Sequence, residues 1–343
     1  MEHLLFIASI QYGEPPTGGG AQAKNQLILA QLQKHYVVTY FDTWHKSAVV
    51  SMLMALCYIV RHRCKCLLSI SGRGAQGIGR MMRLLGLRRE VYYFVIGGDL
   101  GFLVEGHKIN VPVLKSFSKI LVEGHYMKEQ LNRSGLDNVY VLPNFKPIGD
   151  VPVKRADADG RVRFVFLGRL IEEKGVGLLI ESAKQLQKQY AGRFTLTFYG
   201  APSEKYNQDY FDRLGCSYIN YGGFLNLRSQ EGVEELSRYD VMTFPTYFSG
   251  EGFPGVLIDA FKAGLPVIAS DFHANPDVIC RPELGVLVAP NDLHALQQAM
   301  ERFILTPTII PAMAKAVQEE VRKYDIDVLL SRENLNILLN SQR

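Results

Sequence analysis

No apolar run in the sequence reaches membrane-spanning length. The longest nearly unbroken one, Ala48 to Val60, has 13 residues against the ~20 that a bilayer requires. The cysteine pattern of a stapled domain is missing too: the five cysteines (Cys57, Cys64, Cys66, Cys216, Cys280) are odd in number and scattered. A chain of 343 residues buries enough apolar surface to need no disulfides. There are no low-complexity tracts and no fixed-period repeats, which excludes disordered, collagenous and solenoid classes. The opening Met1-Glu2-His3-Leu4-Leu5-Phe6-Ile7 sets an acid before a short apolar run and reads as a buried strand, not a secretory leader. A reduced, cytoplasmic chain is therefore expected. His62, Cys64 and Cys66 have no fourth ligand at a zinc spacing, so no metal site is expected.

What is present is ordinary globular material, 47% hydrophobic and 21% charged, long enough for two domains of roughly 150 residues each. The net charge of +4 divides unevenly: residues 1–150 hold 17 Lys/Arg against 10 Asp/Glu, and 151–343 hold 21 against 24. The cations of the first half cluster at Arg61-His62-Arg63-Cys64-Lys65 and at Arg80, Arg83, Arg88 and Arg89 around Met81-Met82-Arg83-Leu84-Leu85-Gly86-Leu87. This composition suits contact with anionic lipid head groups, and reads equally as a solvated basic face beside a core-facing stripe. Aromatics do not interleave with these cations as a base-stacking platform requires, so nucleic acid is not an expected partner.

Apolar runs of four to eight residues alternate with longer amphipathic stretches, the pattern of parallel strands covered by helices on both faces. The class is α/β. Strands are predicted near 3–9, 36–41, 66–71, 90–96, 119–122 and 139–142, and helices near 21–34, 47–63, 76–86, 110–117 and 124–134. Prolines, glycines and charges from Pro143 to Pro152, then Ala156-Asp157-Ala158-Asp159-Gly160, break the alternation and mark a linker. Strands resume near 162–167, 194–199, 217–221, 240–244, 266–269 and 286–288, with helices near 175–190, 205–214, 229–238, 255–263 and 292–304. The expected domains are 1–148 and 149–322, with a C-terminal helix over 323–343 packing back on the first through leucines such as Leu330 and Leu335. Open parallel sheets hold ligands outside the carboxyl ends of their strands, so a cleft between the two sheets is the expected place for chemistry.

Four stretches draw attention there. Pro15-Pro16-Thr17-Gly18-Gly19-Gly20 lies between the first strand and a helix; its bare backbone and the helix N-terminus suit a diphosphate, and the same run reads as a plain flexible loop. Gly72-Arg73-Gly74-Ala75-Gln76-Gly77 fits G-x-G-x-x-G after a strand. Its acid is misplaced, since Glu90 precedes its strand and Asp99 lies too far on, so no nicotinamide cofactor is expected. In the third stretch a strand ends at Gly168, Arg169 emerges at the carboxyl edge, and Lys174 begins the next helix. Either both are ordinary exposed charges, or they form the cation pair that stabilises charge growing on a departing diphosphate. In the fourth, Glu251-Gly252-Phe253-Pro254-Gly255-Val256 leads to Asp259. A helix starting near Pro254 sets the two acids about two turns apart on one face, with the Gly255 and Val256 amides at its tip.

Taken together, the Gly-Gly loop, Gly168-Arg169-Leu170 with Lys174-Gly175, and the Glu251 to Asp259 block ending in Gly264-Leu265-Pro266-Val267-Ile268-Ala269-Ser270 resemble the retaining family 4 glycosyltransferases (glycosyl transferases group 1) of GT-B fold. The similarity is strongest over 162–290. It implies two Rossmann-like parallel-sheet domains facing across a cleft. It also implies metal- and cofactor-independent transfer of a sugar, with retention, from a UDP- or GDP-linked donor to a glycan or lipid-linked acceptor in bacterial surface polysaccharide or glycoconjugate synthesis. Arg169 and Lys174 would hold the donor diphosphate and Glu251 would face the donor sugar. Asp259 would hold the ribose where the family has the longer Glu. Gly19, Gly20, Gly252, Phe253, Pro254, Gly255 and Val256 would complete the donor site. Phe224, in Tyr221-Gly222-Gly223-Phe224-Leu225, either flanks the base or is a core residue under that turn. The family's His after the fourth strand is missing from Phe94-Val95-Ile96-Gly97-Gly98-Asp99, leaving Gly98 and Asp99 as acceptor-side candidates. Docking on a cytoplasmic membrane leaflet through 61–65 and 80–89 is a further expectation. A sugar-nucleotide epimerase of the same fold and a non-catalytic sugar-nucleotide-binding module are the competing readings.

Overall fold

The structure, a computed structural model, describes residues 2–12, 20–44, 48–152 and 160–340. The chain divides into two compact units, Met1–Asn144 with Ile326–Arg343, and Phe145–Asp325.

The first unit is built on a six-stranded parallel sheet: β1 (His3–Ala8), β2 (Val37–Asp42), β3 (Lys65–Ser69), β4 (Val91–Phe94), β5 (Lys119–Val122) and β6 (Val139–Val141). The strand order is β2-β1-β3-β4-β5-β6, so the direction of winding reverses between β1 and β3. Leu4 through Ala8 have no exposed surface, because a strand with parallel neighbours and helices on both faces buries both sets of its side chains. The last helices, Ile326–Leu329 and Arg332–Leu338, close this unit. Leu330, Leu335 and Leu339 are fully buried. Tyr92 Oη donates to the Leu339 carbonyl at 2.6 Å, and Lys119 Nζ donates to the Ile337 carbonyl at 2.8 Å. Burial lowers the pKa of the Lys119 ammonium.

The second unit repeats the plan with β7 (Val162–Leu167), β8 (Phe194–Tyr199), β9 (Ile219–Tyr221), β10 (Val241–Phe244), β11 (Val267–Ser270) and β12 (Gly285–Val288). Its order, β12-β11-β10-β7-β8-β9, reverses between β7 and β10. Alternation along β7 feeds two cores: Phe164 and Phe166 enter one with Leu196 and Phe198, while Val165 and Leu167 enter the other with Met242 and Phe244. Each face of the sheet thus has its own apolar layer, as the period of two requires.

Three local expectations are corrected. The helix expected over 76–86 runs Gly72–Leu84, because the Ser71 hydroxyl caps it by accepting from the Gly74 amide at 3.3 Å. The glycine run therefore lies inside a helix, and Gly72 serves packing: a Cβ there would come within 2.6 Å of the Ile109 side chain. The helix expected over 110–117 is confined to Val111–Leu114. The helix Leu100–Glu105 has no counterpart among the expected elements, and in place of one C-terminal helix over 323–343 the chain forms two short ones, Ile326–Leu329 and Arg332–Leu338.

Replacing Leu335 by Ala removes a fully buried side chain from the closing helix and is expected to lower the unfolding free energy by about 2–5 kcal/mol. A denaturant titration checks it, and a midpoint equal to that of the parent would contradict the packing described.

Candidate functional site

The carboxyl edge of the second sheet gathers the charged residues singled out above. Where strand order reverses, adjacent strands send their following loops in opposite directions and leave a crevice. At β7 the chain leaves the sheet through Gly168 and Arg169; at β10 it leaves through Pro245 into a loop that reaches the helix Gly255–Lys262.

Lys174 does not begin a helix, which corrects the sequence expectation. It ends a 3-10 turn, Glu172–Lys174, and the α-helix starts at Val176. Gly175 separates the two with φ +80°, and a Cβ there would lie 2.5 Å from the Pro245 carbonyl oxygen. Close contact with the β10 loop thus demands glycine and fixes Lys174 against that loop. The Lys174 ammonium is paired with Oε2 of Glu251, and both side chains are largely buried. Thr246 Oγ1 donates to the same Oε2 at 3.4 Å, and the Tyr247 amide donates to the Glu173 carbonyl at 2.8 Å. Phe248 serves both cations: Lys174 Nζ lies 5.5 Å and the Arg169 guanidinium carbon 5.0 Å from its ring centre. Such placement over an aromatic face holds an exposed guanidinium without neutralising it.

His273 follows β11 with a left-handed backbone (φ 49°) and stacks on Phe272 at 3.9 Å. Its Nδ1 lies 2.9 Å from the Glu251 carbonyl oxygen, a contact that requires the proton on Nδ1. Gly252 is half-buried. Phe253 turns its ring into the core, 5.7 Å from Tyr324, so only its backbone borders the crevice. Pro254 is the N-cap of the helix Gly255–Lys262 and no side chain caps that end, which leaves the Gly255 and Val256 amides at an uncapped tip. Asp259, on the same helix, is buried and paired with Lys146.

Beside β8, the Gly200 amide donates to the Gly223 carbonyl at 2.8 Å and Tyr221 Oη donates to the Gly200 carbonyl at 3.0 Å. This turn presents Phe224 with 82% of its surface exposed, so Phe224 is not a core residue. Next to Lys174, hydrogen bonds from Lys205 and then Tyr206 hold the Glu172 carboxyl below its ordinary range. Burial and the bond to Glu172 push Tyr206 up to about 12.

At the carboxyl edge of the first sheet, Gly20 is exposed at the start of the helix Gly20–Gln33, while Gly19 lies outside the described residues. Gly98 is buried, and Asp99 is exposed at the N-cap of Leu100–Glu105 without a capping bond from its side chain. The turn before them is anchored by Glu123, whose Oε2 accepts from the Gly97 amide at 3.4 Å while Oε1 pairs with buried Lys24. Sequence reasoning passed over Lys24, Glu123, Lys146, Thr246, Phe248 and His273. Their partners lie up to 113 positions away, and only His273, a lone histidine in a loop after a strand, carried any local signal.

A family model described as "Glycosyl transferases group 1" matches residues 161–305. The chain is 27% identical over 220 residues to the exopolysaccharide phosphotransferase SCO2592 of Streptomyces coelicolor, covering 64% of this chain and 22% of that protein. It is 26% identical over 219 residues to the putative colanic acid biosynthesis glycosyltransferase WcaL of Escherichia coli, covering 62% and 51%. The chain thus spans at most about half the length of either relative. The solved structure of Anabaena Alr3699/HepE in complex with UDP aligns over 98% of this chain and 99% of that one, with a TM-score of 0.73 and 16% identity. This likeness establishes the fold as GT-B, built on two Rossmann-like parallel-sheet units.

Lys174→Met leaves the Glu251 carboxylate largely buried without its counter-charge and is expected to cost about 3–5 kcal/mol of stability. Adding Glu251→Gln should recover much of that loss, and a double-mutant cycle in thermal unfolding reads the coupling. Additive losses would mean that the two groups do not interact.

Proposed function

We propose that this chain is a hexosyltransferase: a retaining family 4 enzyme that moves a sugar from a nucleotide-diphosphate donor, UDP- or GDP-linked, to a glycan or lipid-linked acceptor in bacterial surface polysaccharide synthesis. Peripheral association with the inner face of a membrane belongs to the same reading. The observation that carries it is the meeting of Arg169 and Lys174, from the turn after β7, with Phe248 and Glu251 of the loop after β10, where the strand order reverses. The matched family model and the named polysaccharide glycosyltransferase support it.

In this mechanism the donor diphosphate lies at the uncapped tip of Gly255–Lys262, with Arg169 and Lys174 beside it. As the bond from the anomeric carbon to the phosphate oxygen breaks, negative charge grows on the diphosphate. Two fixed cations and two backbone amides meet that charge without reorganising. Lys174 is already held by Glu251, so it stays in place as the donor arrives. Glu251 faces the sugar, Asp259 accepts from ribose hydroxyls beside its ion-pair partner Lys146, and Phe224 flanks the base. The acceptor hydroxyl attacks from the face that the diphosphate leaves, its oxygen bonding to the anomeric carbon and its proton passing to the departing phosphate. Retention then needs no covalent glycosyl-enzyme. Gly98 and Asp99, in the first unit, are the candidates for contact with the acceptor.

Arg169→Ala removes a charge interaction that grows in the transition state, so kcat should fall by about 10²-fold with little change in acceptor KM. A variant with parental kcat would contradict the assigned role. Donor consumption measured with and without acceptor separates the transferase from an epimerase, which turns over a single substrate. Thermal stabilisation across nucleoside diphosphates and their sugars identifies the base, and a panel with no stabilising member would overturn the donor reading.

A further inference from the structure

The helix Ala48–Arg61 is apolar on two sides. Ala55 and Ile59 are buried in the first unit's core, with Met52 and Tyr58 packed against it. On the other side Val49, Val50, Leu53, Met54 and Val60 are exposed, Val49 by 71%. At ~100° per residue these positions fall in one sector of about 140°, a continuous stripe that the core leaves uncovered. A surface helix normally turns polar residues to that side.

The neighbouring element carries exposed apolar residues as well. The helix Gly72–Leu84 packs beside Ala48–Arg61 and ends in exposed Met81, Leu84 and Leu85, Leu84 by 80%. Arg89 Nη2 donates to the Ile59 carbonyl at 3.2 Å, tying the turn after Leu85 to the end of the first helix. Exposed Arg61, Arg63, Arg80 and Arg83 border the apolar residues, and the sequence holds no Asp or Glu between Asp42 and Glu90. A cavity of about 600 Å³ opens beside this turn, lined by Arg83, Arg88 and Arg89 together with Glu90 and Ser116.

We propose that this face, the outer stripe of Ala48–Arg61 with the Met81–Leu85 end of its neighbour and the bordering arginines, is a docking surface for an anionic phospholipid bilayer. An apolar strip that enters the acyl boundary, with arginines at head-group level, is how an interfacial helix lies on a membrane. Each bordering arginine adds attraction to an anionic leaflet, and the arginine-lined cavity is a recess for a lipid phosphate. A second copy of the chain fits the charge less well, because a two-fold contact would set these arginines against themselves. The proposal gives a place to the membrane association named above and stands separately from the donor chemistry.

Flotation of the full chain with vesicles of phosphatidylcholine, with and without phosphatidylglycerol, tests it. The expected result is binding that needs the anionic lipid, weakens with salt, and falls by roughly tenfold or more in a Leu53→Asp/Met54→Asp variant. Arg61→Ala/Arg83→Ala should flatten the salt dependence. An unchanged thermal midpoint shows that each variant is folded. Vesicle binding unaffected by the aspartates, equal binding to phosphatidylcholine alone, or a solution dimer that Leu53→Asp dissociates would each overturn the proposal. A chain that floats but is not stabilised by any nucleoside diphosphate would overturn the transferase reading and leave the docking surface standing.

Discussion

The Lys174–Glu251 ion pair is the interaction around which the second unit's carboxyl edge is arranged. It joins the turn after β7 to the loop after β10 across the reversal of strand order. Gly175 makes the pair possible by admitting the Pro245 carbonyl where any side chain would collide. Thr246, the Phe248 ring and the Glu251 carbonyl bound by His273 are all placed relative to it. Removing two charges from water costs more than packing apolar groups of equal size, so stability alone is a poor reason for such a pair. In the proposed reaction the pair has another use, since it sets a cation in position before negative charge develops.

The second acid follows the same logic. Asp259 is held by Lys146, which lies just past the boundary between the two units in the chain and whose amide donates to the Tyr324 carbonyl at 3.0 Å. Both carboxylates on the proposed donor side therefore carry a lysine, each supplied by a distant part of the chain. Glu123 and Lys24 repeat this arrangement in the first unit, where the pair supports the Gly97 amide.

Strands were legible because each is a buried apolar run bounded by turn residues. The predicted spans 119–122, 162–167 and 194–199 coincide with β5, β7 and β8. Helix starts were less so. Gly72 to Ala75 reads as a loop from composition, yet Ser71 caps it into a helix, and a Cβ at Gly72 would press on the Ile109 side chain. Lys174 reads as the opening of a helix because the 3-10 turn and the left-handed Gly175 leave no mark in hydrophobic periodicity. Arg169, Glu251 and Asp259 stood out by their spacing; Lys146, Phe248 and His273 did not, since their significance comes from contacts made across the sheet edge.

The return of residues 326–340 to the first unit has a consequence for how the chain is made. Phe145–Asp325 is an insertion within the first unit, whose closing segment is synthesised only after the whole of the second. Until then Tyr92 Oη has no Leu339 carbonyl to donate to, and the surface that Leu335 covers faces water. Domains generally mature from the N-terminal end during translation. Here the order is inverted: the later unit can finish first, and the earlier one waits, open along one face, until Arg332–Leu338 has been made.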